Sequence, residues 1–211
     1  LKNELLFVIV IIFSGIFLGG CSGKKSKKYR NVEQVRALEI QDDLKYQIVP
    51  RNEWTDEGPD ETNITPMAPI YRLTIHHTAM PDDELPDEID TKIRLQKILT
   101  WHKQNNKWAD MGYHFVIDAD GKVWEGRNIK YQGAHAGSET LNVGNVGIVL
   151  IGNFDTHELP EIQRQALFDF VQYLKNKYKI ESKNIFGHDH FKDTKCPGKF
   201  VMPYVEQLRK E

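Results

Sequence analysis

The stretch GHDHFKDTKCPG, residues 187–198, brings two histidines and a cysteine together, with aspartate and lysine between them and glycine and proline breaking helix and strand at its ends. Three readings fit such a cluster: a surface loop, a thiol redox site, or part of a metal centre. Cys196 sits between Lys195 and Pro197, in polar surroundings that make poor core material, and no resolving cysteine lies beside it. Metal ligation or catalysis is therefore the leading reading. A catalytic zinc site takes three protein ligands and keeps a position for water, and one cysteine with two histidines fits that open kind. Thiolate and imidazole favour zinc over magnesium or calcium, which prefer oxygen. His188 or His190 joins Cys196 on this loop, and spacing alone does not choose between them.

The remaining ligand must come from an element distant in sequence. YRLTIHH, residues 71–77, reads as a β-strand from its aromatic and β-branched content. Successive strand side chains point to opposite faces, so His76 and His77 cannot both serve one site through the same face. His77 shares its face with Leu73 and Ile75 and reads as a core histidine. His76, on the face of Thr74 and Arg72, is the better ligand.

Around this strand the pattern predicts a helix over 88–104, with Ile89, Ile93, Gln96 and Leu95, Ile98, Leu99, His102 at helical spacing. A hairpin follows over 113–118 and 122–126, turned by Ala119-Asp120-Gly121. Residues 146–152 read as a strand buried on both faces. A helix over 160–179 opens on Pro160 and repeats Ile162, Ala166, Phe170 and Leu174. A loop and a short helix from about Pro203 complete an α/β fold, a central mixed sheet flanked by helices in a single domain.

At 211 residues, 27% of them charged and with a net charge of −2, the chain has room for one ordinary domain plus appendages and lacks the polycation of a nucleic-acid binder. LLFVIVIIFSGIFLGGC, residues 5–21, is apolar but somewhat short of the ~20 residues of a membrane span, and Ser14 and Gly15 interrupt it. It reads as a secretory signal over residues 1–20, with an uncleaved anchor helix as the alternative. Its ending LGGC resembles the bacterial lipobox, which implies a lipoprotein held to the membrane by lipid on Cys21. Residues 21–45 are then a lipidated cysteine and polar tether, and 46–211 the globular domain, in the cell envelope outside the cytoplasm. With Cys21 lipidated, Cys196 has no disulfide partner.

The motifs TIHHTA at 74–79, MGYHFVIDADGKVWEGR at 111–127, QGAHAG at 132–137, NVGIVLIGNF at 145–154 and GHDHFKDTKCPG at 187–198 occur in the order seen in zinc-dependent N-acetylmuramoyl-L-alanine amidases. That family includes the phage-lysozyme-type amidases and the animal peptidoglycan recognition proteins, and IVPRNEW at 48–54 is similar to the opening of the recognition-protein domain. The resemblance spans roughly residues 46–208. It implies zinc ligands at His76, His188 and Cys196, a catalytic tyrosine at Tyr113 and a second catalytic position at Thr194. Phage enzymes carry lysine at that last position and catalytic recognition proteins carry threonine, so the chain resembles the latter. Non-catalytic recognition proteins replace the cysteine, and its presence here points to an enzyme.

The implied reaction is hydrolysis of the amide between N-acetylmuramic acid and the L-alanine of peptidoglycan, with zinc as cofactor, peptidoglycan or muropeptides as partner, and a monomeric chain. The alternative function is a non-catalytic peptidoglycan-binding or sensing lipoprotein. No carboxylate is identified as general base. His135 is the remaining candidate, as a base or substrate contact or as a loop histidine shaping the cleft wall. Arg127 reads as a ligand for a stem-peptide carboxylate or as an exposed salt bridge. His114 is expected to face away from the metal, and His102, His157 and His190 to be surface or helix-packing residues. Trp101, Trp108, Trp124 and Tyr131 read as sugar-stacking platforms or buried aromatics.

Overall fold

The computed structural model describes residues 47–80 and 88–211. The signal and tether expected over residues 1–45 lie outside them. Among the described residues no helix is long and apolar enough to cross a membrane.

Strands β1 (Arg72–His77), β2 (Phe115–Ile117), β3 (Val123–Glu125), β4 (Asn145–Leu150) and β5 (Ile185–Gly187) form one sheet in the order β3-β2-β4-β1-β5. Neighbours pair in parallel except β3, which runs antiparallel to β2 at one edge. Helices α1 (Glu88–Gln104), α2 (Glu139–Asn142), α3 (Glu161–Tyr178) and α4 (Met202–Leu208) complete the mixed, helix-flanked architecture that the sequence pattern predicts.

Every residue of β4 is buried, as a central strand covered on both faces requires. One face packs Leu73, Ile75, Val146, Ile148 and Leu150 against Leu167, Phe170 and Leu174 of α3 and Val205 and Leu208 of α4. The other packs Val116, Val149 and Trp124 against Leu95, Ile98 and Leu99 of α1. The opening motif is tied in by Val49, whose N–H donates to Val123 O at 2.8 Å, and by Arg51, whose guanidinium meets the Asp110 carboxylate at 2.8 Å. Trp54 is buried beside them.

The structure corrects several details. Of the α1 stripe, Leu95, Ile98, Leu99 and His102 are buried, while Ile93 is 46% exposed. In α3 Ile162 is 58% exposed and the buried face runs through Gln163, Leu167, Phe170, Val171 and Leu174. The shift comes from a polar residue taking an interior position, because Gln163 Nε2 donates to Ile117 O and Ile151 O at the ends of the strands. Pro160 is the N-cap of α3 and not its first residue. β2 starts only at Phe115, so strand alternation does not govern Tyr113 and His114. β5 was not predicted, since three residues show no periodicity.

Candidate metal centre and cleft

Parallel pairing assembles the centre. β5 is in register with β1 so that Gly187 lies opposite Ile75, which carries the next residue, His188, to the side of His76. The two rings are 4.5 Å apart, centroid to centroid. The chain then makes a single turn over His188–His190 and returns through Cys196, held by the Asp189 N–H donating to Cys196 O at 2.8 Å. Cys196 Sγ lies 3.7 Å from His76 Nδ1 and accepts from the His77 N–H at 3.4 Å. Ligand atoms of His76, His188 and Cys196 all fall within 4.8 Å of one another, the one such group among the described residues. His190 stacks on Phe186 at 4.3 Å, is exposed and lies outside this group.

The donor set fits a metal ion on an observation of its own: His188 Nε2 is buried and has no hydrogen-bond partner. A buried nitrogen in that state is costly unless something accepts its lone pair. Burial, reinforced by the neighbouring histidines, holds His76 well below the usual imidazole range, and burial with the Lys192 charge brings His188 to about 4. Burial pushes the Cys196 thiol up to about 12, against the hydrogen bond from His77. Both imidazoles are therefore neutral and able to ligate, and a metal binding the sulfur would displace the thiol proton to solvent.

Beside this group lies a cleft of about 560 Å³ lined by Trp108, Tyr113, Arg127, His135 and His188, with Lys107 and Lys192 at its walls. The Tyr113 ring is 5.1 Å from that of His76, and burial, with the Cys196 charge, raises its phenol above the usual value. His102 braces it from behind at 5.5 Å, its Nδ1 accepting from the Gly112 N–H at 3.0 Å. Thr194 Oγ1 accepts from the Cys196 N–H at 3.3 Å, so this residue shapes the turn that presents the cysteine.

His135 is buried, its Nδ1 3.1 Å from His76 Nε2 and its Nε2 3.1 Å from Asn145 O. Space for the ring exists because residue 147 of β4 is glycine: a Cβ there would stand 2.6 Å from His135 Cδ2. Gly147→Ala is accordingly expected to lower stability by about 1–3 kcal/mol through overpacking. Urea unfolding checks this, and an unchanged midpoint would contradict the close fit. Asn142, which no sequence signal singles out, pins the same loop by accepting from the His135 and Ala136 N–H groups at 3.0 and 2.9 Å.

Arg127 is the clearest correction. It is not an exposed salt bridge but 4% exposed, its guanidinium donating to the backbone carbonyls of Met111, Gln132 and Asp110. Burial lowers its pKa to about 10, which leaves it charged at the cleft wall. Trp124 is fully buried with Nε1 on Asp118 Oδ2, Trp101 is 59% exposed on α1, and Tyr131 carries Lys130 over its ring, so Trp108 alone of the four aromatics lines this cleft. His114 stays outside the donor group, its Nδ1 accepting from the Gly147 N–H and its Nε2 meeting Tyr131 O. His102 packs within the fold and His157 is exposed, as expected.

Fold and site together define an α/β domain with a His, His, Cys donor set at the carboxyl ends of adjacent parallel strands, where such sheets place ligands. The chain belongs to the N-acetylmuramoyl-L-alanine amidase family, which residues 66–199 match. It is 30% identical over 161 residues to peptidoglycan-recognition protein SD of Drosophila melanogaster, covering 76% of this chain and 84% of that protein. The crystal structure of Drosophila peptidoglycan recognition protein SD superposes with a TM-score of 0.69 at 29% identity, over 77% of this chain and 94% of that one. N-acetylmuramoyl-L-alanine amidase LysC from Clostridium intestinale matches with a TM-score of 0.62 at 27% identity, over 76% and 95% of the two chains. A mutant of Drosophila PGRP-LB in complex with tracheal cytotoxin matches with a TM-score of 0.67 at 26% identity, over 76% and 93%.

Proposed function

We propose that the domain is a zinc-dependent N-acetylmuramoyl-L-alanine amidase, which cuts the amide joining N-acetylmuramic acid to the first residue of the peptidoglycan stem. The convergence of His76, His188 and Cys196 carries this reading, because binding alone does not need a metal set with an orphaned buried nitrogen. One cysteine and two histidines suit zinc and leave its remaining position open. When bound, zinc would supply Lewis-acid polarisation of the scissile carbonyl and acidify water.

The chain's own residues do the rest. Tyr113 keeps its proton at neutral pH and so donates a hydrogen bond where negative charge develops on the carbonyl oxygen. Thr194 accepts from the Cys196 N–H and retains its own hydroxyl hydrogen to orient the carbonyl or the water. Lys107, Arg127 and Lys192, against the single carboxylate of Glu139, give the cleft lining a positive balance that suits a stem peptide with free carboxylates. Attachment outside the cytoplasm through lipid on Cys21 rests on the sequence of residues 5–21 alone.

Zinc uptake has a defined proton count. With His76 and His188 already neutral and Cys196 protonated, each zinc bound at neutral pH displaces one proton, from the thiol. Affinity should then rise about tenfold per pH unit through neutrality and weaken as pH falls. Titration in weakly buffered solution reads both, and pH-independent uptake would contradict the ligand set.

The second reading, peptidoglycan sensing without cleavage, draws on the likeness to recognition proteins and to the neighbour bound to tracheal cytotoxin. Chromatography of a defined muropeptide separates the two. Free stem peptide marks the amidase, and muropeptide bound but uncut marks the sensor.

A further inference from the structure

We infer that His135 is a positioning residue that fixes His76 as the Nε2–H tautomer and so aims the His76 Nδ1 lone pair into the metal site. The inference rests on the metal reading above, and it replaces the role of base or substrate contact that the loop motif offers.

The direction of the hydrogen-bond chain is forced from its far end. Asn145 O is a backbone carbonyl and can only accept, so His135 Nε2, at 3.1 Å, carries the hydrogen. In a neutral ring Nδ1 is then a lone pair, and the 3.1 Å contact to His76 Nε2 requires that nitrogen to donate. What is left on His76 is a bare Nδ1, the atom that faces Cys196 Sγ at 3.7 Å. A second hydrogen on His135 would make a buried cation with no carboxylate among its hydrogen-bond partners, so the ring is neutral.

The surroundings hold the chain in place. Asn145 is anchored by Thr74 Oγ1 donating to its Oδ1 and by its Nδ2 donating to Leu141 O, each at 2.9 Å. Gly147 and Gly133 both approach the ring closely, a Cβ at Gly133 standing 2.5 Å and one at Gly147 2.6 Å from His135 Cδ2. Both ring nitrogens of His135 are thereby committed, and neither is free to take a proton from substrate or water. A buried partner that orients a ligating histidine raises its basicity and its affinity for the metal.

The test is zinc affinity of the full chain and of His135→Phe, by competition with a chelating dye. Loss of such a partner typically weakens metal binding about 10–100-fold, and that is the expected shift. Nitrogen-15 NMR of the zinc-free parent, with labelled histidines, is expected to show His76 and His135 both protonated on Nε2, and it needs no variant to fold. Parent affinity in His135→Phe, or a His76 hydrogen on Nδ1, overturns the inference. A parent chain that takes up no zinc instead overturns the metal reading and the positioning role together, an outcome separate from the other two.

Discussion

Tyr113→Phe is expected to lower muropeptide hydrolysis about a hundredfold or more while leaving zinc uptake and stability at parent levels. The size follows from removing one donor to a developing oxyanion, which costs about 3 kcal/mol of barrier. The selectivity follows from position. Tyr113 lines the cleft with its ring 5.1 Å from His76, contributes no atom to the donor group, and makes no hydroxyl hydrogen bond among the described residues. Phenylalanine therefore preserves the packing against His102 and orphans nothing. Steady-state rates with zinc analysis of the same sample decide it, and hydrolysis at the parent rate would remove Tyr113 from the mechanism.

Cys196→Ser is expected to act on the metal itself. A structural zinc site of four ligands is worth roughly 12 kcal/mol, so one ligand stands for about 3 kcal/mol, a hundredfold or more in affinity. Serine keeps a group able to accept from the His77 N–H, so the fold should hold while zinc and turnover are lost together. The same chelator competition measures it. A serine variant that retains zinc with parent affinity would show that the thiolate is not a ligand.

The two variants also illustrate which features were legible in sequence. His76 could be preferred over His77 by strand parity alone, because β1 is a regular strand and its two faces meet different partners. The choice of His188 over His190 could not be made from spacing. It depends on the pairing of Gly187 with Ile75, and β5 is too short to announce itself. The family resemblance supplied what local pattern lacked.

Other failures share a physical cause, a polar side chain satisfied by backbone far away in sequence. Arg127 reads in sequence as a carboxylate ligand or an exposed salt bridge, yet its guanidinium donates to carbonyls of residues 110, 111 and 132. Gln163 occupies an interior position because carbonyls at two strand ends accept from it, which displaces the apolar stripe of α3. His135 does line the cleft, while its contact with His76, which spans 59 residues and needs the missing side chain of Gly147, is not legible locally. Helices, the hairpin and the central strand were legible because periodicity and turn chemistry are local. The supports of the site are not.

The most direct test of the amidase claim is mass spectrometry of a defined muropeptide incubated with the full chain in oxygen-18 water, with zinc and after chelation. The expected result is free stem peptide with an L-alanine amino terminus and one heavy oxygen in the lactyl carboxylate of the muramic acid, lost on chelation and restored by zinc. Intact muropeptide in the presence of folded, zinc-loaded chain would contradict the claim and leave the domain as a recognition module.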